Sequence, residues 1–313
     1  EVALRLARAA TGRFKTLSFW DAFHGAGFGA SSVGGEATFR SHIAGPLLPG
    51  AEHIAPFHCY RCAYGHAGPE SCGLACAKMV DYVLGREGDV AAVIAEPMRA
   101  VPVVPPAGYW KAVQEACHRN GALLIMDEIP TGLGKTGRMF AFEHDGITPD
   151  IVTLGKALGG GILPIAAVIA REDLNVAGDF AIGHYTHEKN PLTARAALTT
   201  IEIIEEEGLV ERAAVLGGWA MDQLREALAG NDHVGDVRGR GLMFGVEMVK
   251  SRESRAPAPE LAERIYYAAL AAGLSFKISA GSVLTLSPPL TISRDDLGRA
   301  LGIVVTAIAG ATA

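Results

Sequence analysis

The sequence predicts an α/β protein with a mostly parallel sheet, followed by a smaller α+β part at the C-terminal end. Three observations lead to this prediction. The 313 residues are 49% hydrophobic and 20% charged, which is typical of a folded globular chain. Short apolar runs alternate with helical stretches over the first two thirds of the chain. That pattern changes near Pro191.

Four apolar runs in the first two thirds have the length of buried strands. They span residues 14–19, 91–95, 122–126 and 151–154. Helical stretches lie between them, among them Ser71 to Gly85 and Tyr109 to Gly121. Strand, helix and strand at this spacing imply right-handed crossovers, and therefore a mostly parallel sheet.

The second part of the chain begins with a helical pattern that runs from Pro191 to Leu209. The elements after it are helices at 213–228 and 259–272, strands at 242–247 and 283–286, and a last helix from about Ser293. We therefore predict a large domain over residues 1–205 and a small α+β domain over 206–313.

Charge and cysteine content narrow the choice of partner and compartment. The chain carries 28 Lys and Arg against 34 Asp and Glu, so it has no basic excess for a nucleic-acid backbone. Five cysteines, an odd number, favour a reducing compartment over a disulfide framework. No apolar run approaches the ~18 residues of a membrane span. We expect a cytoplasmic protein that acts on small molecules and binds neither nucleic acid nor membrane.

Chemically active side chains follow the apolar runs. Phe23-His24 comes after the first run, Glu96 after the second, Asp127 after the third and Lys156 after the fourth. Because ligands bind at the carboxyl ends of parallel strands, we expect these residues to form one site.

Lys156 and Asp127 suggest the chemistry of that site. A lysine in a low-dielectric crevice at a strand end is nucleophilic and suited to a Schiff base, although a surface lysine is an equal alternative. A buried carboxylate needs a cation, and the pyridinium nitrogen of pyridoxal phosphate is one. A carboxylate that caps the following loop is the alternative for Asp127.

An ordered set of motifs extends this hypothesis over essentially the whole chain. The motifs are Phe23-His24-Gly25, Glu96-Pro97, Asp127-Glu128-Ile129, Thr131 to Gly137, Thr148 to Lys156, Thr186 with Asn190-Pro191, Val237 to Leu242 and Ser287-Pro288-Pro289-Leu290. In this order they resemble the class III pyridoxal-phosphate aminotransferases, the ornithine and 4-aminobutyrate type of fold type I.

The resemblance implies a fold and a set of roles. It implies a seven-stranded type of sheet in the large domain, pyridoxal phosphate as cofactor, and an amine donor with a 2-oxo acid acceptor as substrates. Lys156 would be the Schiff-base lysine, and Asp127 would face the ring nitrogen. Phe23 and Ile129 would lie on the two faces of the ring, with His24 and Glu96 shaping the site. Thr186 would reach the cofactor phosphate of a neighbouring subunit in a homodimer with shared sites.

Three departures from the family pattern concern the substrate. Thr285 stands where many members carry an arginine for the substrate α-carboxylate. Pro130 replaces a polar residue, and His187-Glu188-Lys189 replaces a more common Phe-Gly-Gly. The alternative function is therefore an ammonia-lyase or phospho-lyase on a small amino-alcohol phosphate or aminophosphonate, of the 1-hydroxy-2-aminoethylphosphonate type.

The start of the chain has a helical pattern from Glu1 with no capping residue and no Met before it. In the family that the chain resembles, a Gly-Ser-rich turn that binds the cofactor phosphate precedes this helix. We therefore expect an amino-terminal segment to be absent, and weak or no cofactor binding by these 313 residues in isolation.

Two further patterns point to other ligands. Cys59-x2-Cys62 and Cys72-x3-Cys76 have spacings that occur in zinc sites, but Cys72 and Cys76 are four apart on a predicted helix, where cysteine often belongs to the core. We expect no catalytic metal, and zinc at these cysteines stays an alternative. Gly-Lys-Thr at 134–136 lacks the glycine that a phosphate-binding loop needs at position 129.

Overall fold

A computed structural model describes residues 1–179 and 181–312. The chain forms two compact units. The first comprises Glu1–Pro97, Pro105–Gly132 and Phe142–Glu202, and the second comprises Met98–Val104, Leu133–Ala141 and Ile203–Ala313. Two short segments of the first half thus belong to the second unit. The division into domains 1–205 and 206–313 stays a prediction.

The first unit is built on a six-stranded sheet. Its strands are β1 (Lys15–Phe19), β2 (Ala51–Ile54), β3 (Val90–Ala95), β4 (Leu123–Asp127), β5 (Ile151–Leu154) and β6 (Ala167–Ala170). Their order is β2-β1-β3-β4-β5-β6, and only the β5–β6 pair is antiparallel. The mostly parallel sheet is confirmed. It has six strands in the described residues, one fewer than the family type implies.

Helices flank this sheet. They are α1 (Val2–Thr11), α2 (Phe28–Val33), α3 (Ala37–Arg40), α4 (Ala75–Glu87) and α5 (Tyr109–Asn120), and α6 (Pro191–Glu206) carries the chain from the first unit into the second. The apolar face of α1 packs on β3, β4 and β5 through Ala3, Leu4 and Ala7. The predicted helix from Ser71 begins only at Ala75, since Leu74 before it has a left-handed backbone.

The second unit is an antiparallel sheet with three helices. The elements are α7 (Leu209–Ala227), β7 (Val234–Arg240), β8 (Met243–Met248), α8 (Pro259–Ala271), β9 (Lys277–Ser279), β10 (Val283–Leu286) and α9 (Arg294–Thr312). The strand order is β7-β8-β10-β9. Gly217 of α7 allows close packing here, because a Cβ at that position would lie 1.9 Å from the carbonyl oxygen of Gly241.

Among residues 1–179 and 181–312, no helix combines the length and the apolar character that a membrane span requires.

Candidate active site

The carboxyl ends of β1, β3, β4 and β5 lie at one edge of the first sheet, because these strands are parallel neighbours. Asp127 is the last residue of β4, and its partner in the sheet register is Thr153 of β5. Lys156 follows that partner by three residues. Glu96 comes directly after β3, as the sequence predicts.

Asp127 is a buried carboxylate held by three donors. The Nδ1 atom of His24 lies 2.8 Å from its Oδ2. Its Oδ1 accepts from the backbone N–H of Ile129 at 3.2 Å and from the hydroxyl of Thr153 at 3.1 Å. A carboxylate has about four acceptor positions, so one position on Oδ2 is left. The site can therefore accept one more N–H donor.

His24 belongs to the same buried cluster. Its side chain is 1% exposed and that of Asp127 is 5% exposed. With Nδ1 engaged by the carboxylate, the buried Nε2 atom has no hydrogen-bond partner in the described part of the chain. Buried polar atoms are rarely left unpaired, so this nitrogen and the open side of Asp127 Oδ2 both indicate that the site takes a polar ligand.

Lys156 opens a short 3₁₀ turn, Lys156–Gly159, with a φ angle of +45°. That left-handed backbone is strained for a lysine, and such strain is concentrated at functional sites. Ile129 lies beside the same point, because a Cβ on Gly155 would be 3.5 Å from its Cγ1. The Lys156 side chain, which follows the buried strand β5, is exposed. Of the two alternatives for this residue, the structure therefore favours a surface lysine over a low-dielectric crevice.

Phe23, Glu96 and Thr186 make no hydrogen bond to Asp127, whose hydrogen bonds within the described residues are those given above. Phe23 is 36% exposed and packs on Phe39, with ring centroids 4.5 Å apart. Glu96 is buried. Thr186 is exposed on a turn in which the N–H of Glu188 donates to the carbonyl of Tyr185.

Thr153 is the residue that sequence reasoning missed. Its hydroxyl supports Asp127, but this follows only from the β4–β5 register. The one available signal was a polar residue within the apolar run 151–154.

Burial lowers the pKa of Lys135 in the second unit to about 8, and its Nζ donates to the carbonyl of Pro288 at 2.6 Å. In the same unit, the hydroxyl of Thr285 donates to Ser279 Oγ at 3.0 Å. The hydroxyl that replaces the family's arginine is thus engaged within the small sheet.

Comparison with known proteins identifies the family. The family model for Aminotransferase class-III matches residues 1–308. The chain belongs to the class III aminotransferases. The (R)-1-hydroxy-2-aminoethylphosphonate ammonia-lyase of Vibrio splendidus (strain 12B01) is 42% identical, with 98% of this chain and 67% of that protein covered. The diaminobutyrate–2-oxoglutarate aminotransferase of Rhizobium meliloti (strain 1021) is 38% identical, with 98% of this chain and 67% of that protein covered.

Solved structures agree with this assignment. A thermostable (S)-enantioselective omega-transaminase from Thermomicrobium roseum matches with a TM-score of 0.93 at 30% identity, over 100% of this chain and 73% of that one. A Bacillus anthracis aminotransferase matches with a TM-score of 0.90 at 32% identity, over 99% of this chain and 73% of that one.

Class III aminotransferases depend on pyridoxal phosphate and act on amines and keto acids. The residues at the strand ends fit this cofactor. Its protonated ring nitrogen is the kind of donor that the open position of Asp127 Oδ2 requires, and it would be desolvated beside a carboxylate that is itself buried.

Substitution of Thr153 tests whether its hydrogen bond to Asp127 stabilises the fold. We expect Thr153→Val to lower the free energy of unfolding by about 1.5–3 kcal/mol, because a buried carboxylate loses one donor at nearly constant side-chain volume. Thr153→Ser keeps the hydroxyl and should cost less than half as much. Equilibrium urea unfolding of both variants measures this. Equal losses in the two variants, or none in either, would contradict the assigned hydrogen bond.

Proposed function

We propose that this chain is an aminotransferase that moves an amino group from a small amine or amino acid to a 2-oxo acid, with Lys156 as the lysine that holds pyridoxal phosphate. The observation that supports it best is the buried Asp127, with three donors and one free acceptor position, in register with the strand that leads to Lys156.

Pyridoxal phosphate, when bound, supplies an electron sink for the bonds at the amino-bearing carbon. Asp127 keeps the proton on the ring nitrogen, because a neutral pyridine beside a buried carboxylate would leave that charge uncompensated. His24 holds the carboxylate in position through Nδ1. These two residues therefore fix the protonation state on which the chemistry depends.

Lys156 carries the two remaining tasks. Its amine holds the cofactor in the resting enzyme, and once released it moves a proton to and from the substrate carbon. Exposure keeps this amine within reach of an incoming substrate. We assign the apolar contact on one face of the ring to Ile129, which lies against Gly155, and the contact on the other face to Phe23, which is backed by Phe39. Glu96 shapes the wall of the site.

A lyase is the second candidate function. It is supported by the 42% identity to a protein named as an ammonia-lyase. It is also supported by Thr285, whose hydroxyl is hydrogen-bonded to Ser279. A threonine cannot bind a substrate α-carboxylate with two N–H donors, as an arginine does. The substrate would then be a small amine with a phosphate or phosphonate group.

We also propose a cytoplasmic homodimer with shared sites. All five cysteines are free thiols, which suits a reducing compartment. Thr186 is exposed, and its hydroxyl makes no hydrogen bond within the part of the chain that the structure describes. Thr186 would contact the cofactor phosphate of the neighbouring subunit.

An acceptor-dependence assay separates the two functions. The complete enzyme is incubated with small amines, amino acids and aminophosphonates, each with and without a 2-oxo acid. For an aminotransferase we expect a new amino acid only when the acceptor is present, and no free ammonia. Release of ammonia without an acceptor would overturn the aminotransferase proposal in favour of the lyase.

Complementation between two inactive variants tests the shared sites. Lys156→Ala and Thr186→Ala are expected to lose most activity as separate homodimers. In a mixed dimer, one of the two sites has both residues intact, so co-expression should restore about a quarter of wild-type activity. As a control, the double variant co-expressed with Lys156→Ala should restore none. No gain in the mixture of single variants would contradict a site shared between subunits.

A further inference from the structure

The turn that leads into α6 carries basic side chains that the proposed function does not use. Residues 184–191, here called the basic turn, line an open cavity of about 430 Å³. This volume is within the range of small-molecule sites. His184, His187 and Lys189 lie on its wall, and so does Thr186, which we place at the cofactor phosphate of the neighbouring subunit. The basic groups therefore share a cavity with a residue of the proposed site.

Hydrogen bonds hold the backbone of the basic turn in shape. The N–H of Glu188 donates to the carbonyl of Tyr185 at 3.0 Å, and the N–H of Asn190 donates to the carbonyl of His187 at 3.2 Å. The side-chain Oδ1 of Asn190 accepts from the N–H of Leu192 at 2.9 Å, which joins the turn to α6. The side chains of the turn therefore start from a defined backbone.

The positive charge of the basic turn is not paired with an acid. The side chains of His184, His187 and Lys189 are exposed, and they make no hydrogen bond or ion pair with any residue that the structure describes. Glu188 is the one acid of the turn, and its Oε2 accepts from a backbone N–H of the turn at 3.2 Å. These three basic groups and the hydroxyl of Thr186 are therefore available to an anion.

The donors of the basic turn suit a phosphate or phosphonate group. Lys189 offers three N–H donors, each histidine offers at least one, and Thr186 offers a hydroxyl. A phosphate or phosphonate group is a compact anion with three acceptor oxygens, so it can accept from several of these donors at once. A carboxylate is matched best by the planar fork of an arginine, and the turn contains no arginine.

We propose that His187 and Lys189 bind a phosphate or phosphonate group at the far end of the substrate amine. This inference rests on the proposed function, in which Thr186 reaches the site of the neighbouring subunit and brings the basic turn with it. The inference applies to the aminotransferase and to the lyase alike, because it concerns substrate binding and not the fate of the amino group. The substrate class is then a small amine that carries a phosphate or phosphonate.

Amine binding to the complete enzyme loaded with pyridoxal phosphate tests the proposal. The apparent dissociation constants of 2-aminoethylphosphonate and of propylamine, which has an uncharged tail, are measured from the change in cofactor absorbance. Lys189→Met removes the charge and His187→Phe removes the ring N–H. We expect each change to weaken binding of 2-aminoethylphosphonate about tenfold, since a hydrogen bond to a charged group is lost, and binding of propylamine less than about twofold.

Lys111→Met is the matched control, because Lys111 is an exposed lysine of α5 that lies outside the basic turn. It should change neither dissociation constant. Cofactor affinity is measured for all variants by titration with pyridoxal phosphate, and we expect it to match that of the wild type.

The possible failures point to different errors. Binding of propylamine but not of 2-aminoethylphosphonate, or equal effects of the variants on both amines, would overturn the phosphonate site and leave the aminotransferase proposal intact. Loss of cofactor affinity in Lys189→Met and His187→Phe would show that the turn holds the cofactor phosphate instead of the substrate. No absorbance change with any amine would contradict the proposed function, and this site with it.

Discussion

The candidate active site is organised around one buried charge, the carboxylate of Asp127. A carboxylate at the end of an apolar strand is costly unless donors surround it. Three parts of the first unit supply them: the loop after β1 through His24, strand β5 through Thr153, and the backbone of Ile129. Because β1, β3, β4 and β5 are parallel, the carboxyl ends of β4 and β5 and the loop after β1 lie at the same edge of the sheet. The parallel fold therefore supplies the donors that the buried carboxylate needs.

The same carboxylate explains why the site suits a cationic ring. Its three donors leave one acceptor position, and the neighbouring His24 Nε2 is also buried without a partner among the described residues. Thr153 is the partner of Asp127 in the sheet register, and the chain continues from it to Gly155, which lies next to Ile129. Lys156 follows with a left-handed backbone. This arrangement suits a cofactor that has both an aldehyde and a basic ring nitrogen. The aldehyde would react with the amine of Lys156, and the ring nitrogen would pair with the carboxylate of Asp127.

Much of the fold could be predicted, because its central strands are short apolar runs. Strands β1, β3, β4 and β5 lie within one or two residues of their predicted positions. Strand β2, with the sequence Ala-Glu-His-Ile, and β7, with two glycines and three charged residues, lack an apolar pattern and are strands only because β1 and β8 pair with them. The strand ends identified Asp127 and Lys156, but Thr153 required the register. The exposure of Lys156 and the burial of Lys135 depend on tertiary packing that no local pattern contains.

The two lysines also provide the most direct test. Borohydride reduction of the complete enzyme with pyridoxal phosphate attaches the cofactor permanently to the amine that holds it, and peptide mapping then identifies that residue. We expect a label on the peptide that contains Lys156, although burial lowers the pKa of Lys135 to about 8. This result would place the cofactor beside Asp127. A label on Lys135, with Lys156 unmodified, would contradict the proposed site.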